Sequence, residues 1–400
     1  TGTLQSPESL LQPAYAKRYR DSWVSDETIR IVTKTDLETK QVTMQQAINS
    51  WTFTSTNIPD VAFGLSDHFV WDGSSTVVDP ATGRRASAQA AYNDTAADYH
   101  HMARFARHSL EWLSRNWPGI PYPYEKTTVF QGYAGMEYPM MANDETYEDT
   151  TISRFVAEHE IAHTYMPFLM GINETRYGFM DEGWATTFEL LIGRSDMGRE
   201  QAEEMYRNFR VSGWIGDFSS DQQIPIITPG DALTGGGFGN NEYGKASLGY
   251  LAAKDLLGDD LFRKCLQEYM NRWRGKHPLP WDFFNTFSDV AGRSLNWFWN
   301  NWFFSTGYID LALSAPLKTA KGQELRIRNR GGLFAPVDLQ ITYSDGTTET
   351  RHLSPAFWQV NPTEGKLVLA GTRKISALDL NGGIFMDSDP SNNHWEAQAK

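Results

Sequence analysis

A chain of 400 residues with 40% hydrophobic side chains is too long for one hydrophobic core and has an ordinary globular composition, so two or three domains are expected. Its net charge of −13 excludes the basic face that a nucleic-acid partner requires, and no apolar run reaches the ~18 residues of a membrane helix. The lone Cys265 rules out an internal disulfide and leaves the redox compartment unread.

The chain starts at Thr1 without a basic and apolar leader. This fits a trimmed chain whose compartment is unread, periplasmic or secreted if a signal peptide was removed. From about residue 28 to 80, ETIRIVTKTDLETKQVTMQ and WTFTSTNIPDVAFGLSDHFVWDG are rich in β-branched and aromatic residues. They read as strands at the end of an incomplete N-terminal β domain, residues 1–80. Val78 to Arg85, with a proline and a glycine, reads as a linker.

Residues 81–307 are mainly helical in pattern. AQAAYNDTAADYHHMARFARHSLEWLSRNW predicts one long helix ending before Pro118, with His100, His101 and His108 as packing or surface residues. A rigid connector, Pro118 to Lys126, and a short strand region, TTVFQGYAGMEYP, follow. The helix TISRFVAEHEIAHTYM is stopped by Pro167, and a second helix begins near Asp181. Later helices cover KASLGYLAAKDLLG, DDLFRKCLQEYMNRW and WDFFNTFSDVAG, and the aromatic run LNWFWNNWFFSTGY reads as packing rather than as a ligand stripe. From Tyr308 strands return, with a hairpin signal at Asp345-Gly346. Residues 308–400 suit a β-sandwich. The fold class is multidomain α+β.

His159 and His163 stand four apart in a helical pattern, so both imidazoles share one face and can reach one tetrahedral ion. Glu182, nineteen residues beyond His163, opens a helix that supplies a third ligand. Two histidines and a carboxylate leave a fourth position for water, the catalytic pattern of zinc coordination. Glu160 faces that water without binding the ion and serves as general base. Glu189, two turns after Glu182, accepts the other ring N–H of a zinc-bound histidine. The expected cofactor is one Zn²⁺ per chain.

H159-E-I-A-H163, eighteen intervening residues, then E182-G-W-A resembles the aminopeptidase N family, zinc exopeptidases of the gluzincin clan. The family's GxMEN motif has its counterpart in Ala134-Gly135-Met136-Glu137-Tyr138-Pro139. The resemblance implies that Glu137 binds the substrate's free α-ammonium, with Gly135 and Met136 lining the bound peptide. A fixed carboxylate there gives a charge-assisted bond that a free N-terminus satisfies. Tyr243-Gly244-Lys245 looks like the family's tyrosine and lysine pair and makes Tyr243 the oxyanion donor, with Tyr250 and Tyr177 as competitors. The likeness covers most of the chain and is strongest from about 130 to 250. It implies a thermolysin-like zinc domain acting on peptides with a free N-terminus.

This sequence departs from the family at Tyr138 and Asp181, where asparagine is usual, and the first change alters the groove beside the scissile bond. The resemblance leads one to expect a longer N-terminal β domain than residues 1–80 supply, and the large C-terminal helical domain found in many members has no counterpart in these 400 residues. A thermolysin-like endopeptidase would share the zinc residues but gain nothing from Glu137. A catalytically silent peptide-binding module is the other alternative, against which Glu160 and Tyr243 argue.

Overall fold

The computed structural model describes residues 1–216, 223–320 and 322–398. The chain forms two compact units, one of Thr1–Asn173, Leu191–Asp196 and Met270–Pro278, the other of Glu174–Leu190, Met197–Tyr269 and Leu279–Lys400. Among the described residues, no helix is long and apolar enough to cross a membrane.

The first unit is built on a six-stranded sheet of β1 (Ile29–Val32), β2 (Val70–Asp79), β3 (Arg84–Tyr92), β4 (Lys126–Gln131), β5 (Glu137–Tyr138) and β6 (Met141–Asp144), in the order β1-β2-β3-β4-β6-β5. β2 and β3 pair antiparallel from Val70↔Tyr92 to Asp79↔Arg84, whereas β3–β4 and β4–β6 are parallel. Residues 78–85 are therefore not a linker but a hairpin, and the boundary expected at residue 80 is crossed by paired strands.

The predicted long helix is also corrected. Residues 84–92 are a strand, and the helix proper, α2, is Met102–Arg115, after α1 (Pro13–Ser22). Alanine favours helices on propensity, but Ala86, Ala88 and Ala90 are fully buried here. They share a sheet face with Ser74, whose hydroxyl donates to the Ala103 carbonyl of α2 at 3.2 Å. Small side chains let the helix approach the strand closely, so tertiary packing overrides propensity. Helix α3 (Thr150–Ala162) packs on β6. The opposite face carries α1 and the apolar cluster of Leu4, Leu10, Tyr19 and Ile31.

In the second unit, α4 (Glu182–Asp196, of which Leu191–Asp196 belong to the first unit) precedes α5 (Ala246–Leu257), α6 (Asp259–Trp273), α7 (Pro280–Val290) and α8 (Asn296–Phe304). The aromatic run of α8 is core, as expected: Phe298, Trp299, Trp302 and Phe303 are buried, and Trp302 Nε1 donates to Phe334 O at 3.2 Å. Beyond it lie two four-stranded antiparallel sheets between Leu311 and Glu396, burying Leu325, Ile327, Leu339, Ile341 and Leu378. The hairpin joining Val337–Tyr343 to Thr348–Leu353 turns at Gly346, φ +81°, a left-handed angle that glycine adopts without strain.

Candidate active site

The first unit supplies helix α3. Asp149 caps it by accepting from Thr151 N at 2.8 Å. Its regular part ends at Ala162, and Met166 turns to φ −135°, ψ 105°, the extended region that a following proline imposes. His159 and His163 are both buried, with ring centroids 4.8 Å apart and planes at 78°. His163 Nδ1 lies 3.1 Å from the Met166 carbonyl. A carbonyl only accepts, so Nδ1 carries the proton and Nε2 the lone pair. The Met166–Pro167 break thus presets the His163 imidazole for a metal.

Glu160, between the two histidines, is nearly buried. A Cβ built on Gly135 would stand 2.8 Å from Glu160 Oε1, so the glycine lets the strand segment approach the carboxylate. Glu137 pairs with Ala142 on the edge strand β5, and its Oε1 lies 3.9 Å from His163 Nδ1. Met136 is half-exposed beside it. The structure therefore gathers His159, Glu160, His163, Gly135 and Glu137.

Asp144, at the end of β6, was not singled out in the sequence. It is buried, and among the described residues neither carboxylate oxygen has a hydrogen-bond partner. Burial raises its pKa well above the usual carboxylate range, Glu160 raises it further, and His159 opposes them. The one sequence signal was its distance from the GMEYP segment, which places it at the end of the returning strand.

The second unit supplies helix α4. Glu182 opens it and accepts a 2.6 Å hydrogen bond from the Tyr243 hydroxyl. Glu189, two turns on and buried, is gripped by Arg210, whose Nε donates to Oε1 at 3.2 Å and whose NH2 group donates to Oε2. Burial opposes the Arg210 charge, but Glu189 first and Glu182 next outweigh it and hold its pKa above the ordinary value. Arg210 also lies 5.3 Å from the Tyr243 ring centre. Of the competing tyrosines, Tyr250 is structural: it stacks on Trp184 at 4.2 Å and donates to Phe179 O. Glu242 was not foreseen. It is fully buried, packed where Cβ atoms on Gly178 and Gly230 would strike its oxygens, and burial with repulsion from Glu182 pushes its pKa up to about 8. Lys245 donates to Ile224 O at 2.9 Å, a structural role.

The donor chemistry fits zinc. Two imidazoles on one helix face, one with its lone pair set by a carbonyl, are what this ion takes, and a buried carboxylate sits between them. These features define a candidate metal site of the HExxH pattern.

Residues 133–302 match the Peptidase family M1 domain. Leucine aminopeptidase 2 of Neosartorya fischeri is 26% identical over 198 residues, covering 44% of this chain and 30% of the relative. Leucine aminopeptidase 2 of Aspergillus fumigatus is 25% identical over 198 residues, with the same coverage. The crystal structure of Legionella pneumophila aminopeptidase A in complex with aspartic acid superposes with a TM-score of 0.59 at 14% identity. It covers 74% of this chain and 35% of that one, a likeness of fold. The chain thus spans about a third of the length of these relatives.

Proposed function

We propose that this chain is a zinc aminopeptidase that releases the N-terminal residue of peptides. His159, His163 and Glu182, the three donors of the sequence motif, hold one zinc ion. Zinc bound there supplies the Lewis acidity that acidifies water and polarises a scissile carbonyl. Glu160 takes the proton from the attacking water and passes it to the leaving amine. Tyr243 donates its phenolic hydrogen to the developing oxyanion. Glu189, paired with Arg210, accepts the second ring N–H of a zinc-bound histidine.

The observation that carries the exopeptidase reading is Glu137. It is a nearly buried carboxylate on an edge strand, with an oxygen 3.9 Å from a ring nitrogen of His163. In a low-dielectric site such a group pairs with a free α-ammonium. The register that results leaves one residue between this anchor and the scissile bond. Cleavage of a free peptide beside its N-acetylated twin, with and without a chelator, tests this. The free peptide should lose one residue at a time, the acetylated one should survive, and the chelator should stop the reaction. Equal cleavage of both would make the chain an endopeptidase.

A further inference from the structure

The face of the six-stranded sheet turned away from α2 and α3 carries a half-open cavity of about 180 Å³ that the peptidase reading leaves unused. Its position follows from strand alternation. Lys126, Thr128 and Phe130 project to one side of β4, in register with Ser87, Gln89 and Ala91, and Thr128 is in register with Met141. Glu137 is in register with Ala142, one residue on, and so belongs to the other face. The cavity and the Glu137 side of the sheet are back to back.

Its walls are aromatic, formed by Tyr19, Trp51, Phe53, Trp71 and Phe130, and Trp51 and Phe53 remain about half exposed. Its floor is Lys126. The ammonium is buried and donates to Thr128 Oγ1 at 2.8 Å and, at 3.4 Å, to Met140 O. Both acceptors are neutral, and among the described residues no carboxylate pairs with this lysine. A buried charge without a counter-charge is expensive, and burial pulls the Lys126 pKa down to about 8. An exposed aromatic rim over an unneutralised ammonium is a site missing its anion.

We propose that this cavity binds a small aromatic monocarboxylate, its ring between the tryptophan and phenylalanine walls and its carboxylate on Lys126 Nζ. The volume admits one ring with a short acid arm and leaves no room for a folded chain segment. The site is independent of the zinc chemistry.

The probe is 3-phenylpropionate, followed by tryptophan fluorescence and titration calorimetry on the full chain, beside neutral 3-phenylpropionamide. The acid should bind, and the amide should bind roughly ten- to a hundredfold more weakly, the worth of a charge-assisted hydrogen bond. Lys126→Met, an apolar replacement of similar length, should erase that difference. Trp51→Ala, at a half-exposed position that the fold tolerates, should weaken acid and amide alike. Absence of acid binding to the wild-type chain, equal binding of acid and amide, or unchanged discrimination in Lys126→Met would overturn the proposal.

Discussion

Gly135→Ala displaces the general base while leaving the proposed zinc ligands untouched. The added Cβ would stand 2.8 Å from Glu160 Oε1 and 3.3 Å from Val156 Cγ1. Restoring ordinary contact at about 3.4 Å requires a carboxylate shift of about 0.6 Å, since the second contact is already nearly acceptable. The atom displaced is the end of a flexible side chain, so the fold should absorb the change at under about 1 kcal/mol. Catalysis should not. A misplacement of ~1 Å costs on the order of 10²-fold, so kcat should fall roughly ten- to a hundredfold. The assay is hydrolysis of an aminoacyl arylamide, with bound zinc and the urea midpoint measured on the same sample. Glu160→Gln, which should abolish turnover and retain zinc, gives the limit. A Gly135→Ala enzyme with unchanged kcat, or one whose lost activity tracks lost zinc or lost stability, would refute the reasoning.

Three further outcomes follow from the same geometry. Tyr243→Phe removes the hydroxyl that donates to Glu182 Oε1; kcat should drop roughly 10²- to 10³-fold with a smaller change in KM, measured by steady-state kinetics. Arg210→Met removes the guanidinium that grips the buried Glu189 carboxylate and should cost about 3–5 kcal/mol in urea denaturation, against under about 1 kcal/mol for an exposed substitution such as Arg199→Gln. His352, between Asp338 Oδ1 at 2.7 Å and Asp255 Oδ2 at 2.9 Å, has a pKa raised from 6.5: burial opposes the charge, and the hydrogen bonds it donates to the two carboxylates outweigh it. A raised pKa means that its stabilisation is full below about pH 6.5 and is lost as pH rises through the higher folded value. The thermal midpoint should therefore decline over that window in the wild type, and His352→Gln should flatten the decline.

The parts of the site legible in the sequence are those fixed by local periodicity. His159, Glu160 and His163 follow from helical spacing, and Pro167 marks where that helix stops. The hairpin at Asp345-Gly346 was legible because the turn type demands those residues. Strand β3 was not. Its alternating alanines satisfy helix propensity and a close helix–strand contact equally well, and the contact with α2 is long-range information. The acceptor for His163 was missed because it is a backbone carbonyl, Met166, turned by the following proline rather than displayed by a side chain. Asp144 and Glu242 were missed because burial, which nothing in their neighbouring residues announces, is what gives them their character.

The direct test of the central claim is metal quantification after exhaustive dialysis, paired with activity, on the wild type, Glu160→Gln and Glu182→Gln. One zinc should remain per chain in the wild type and in inactive Glu160→Gln, while Glu182→Gln should lose metal and activity together. Wild-type protein that retains no zinc yet hydrolyses peptides, or Glu182→Gln that holds zinc as tightly as the wild type, would contradict the account.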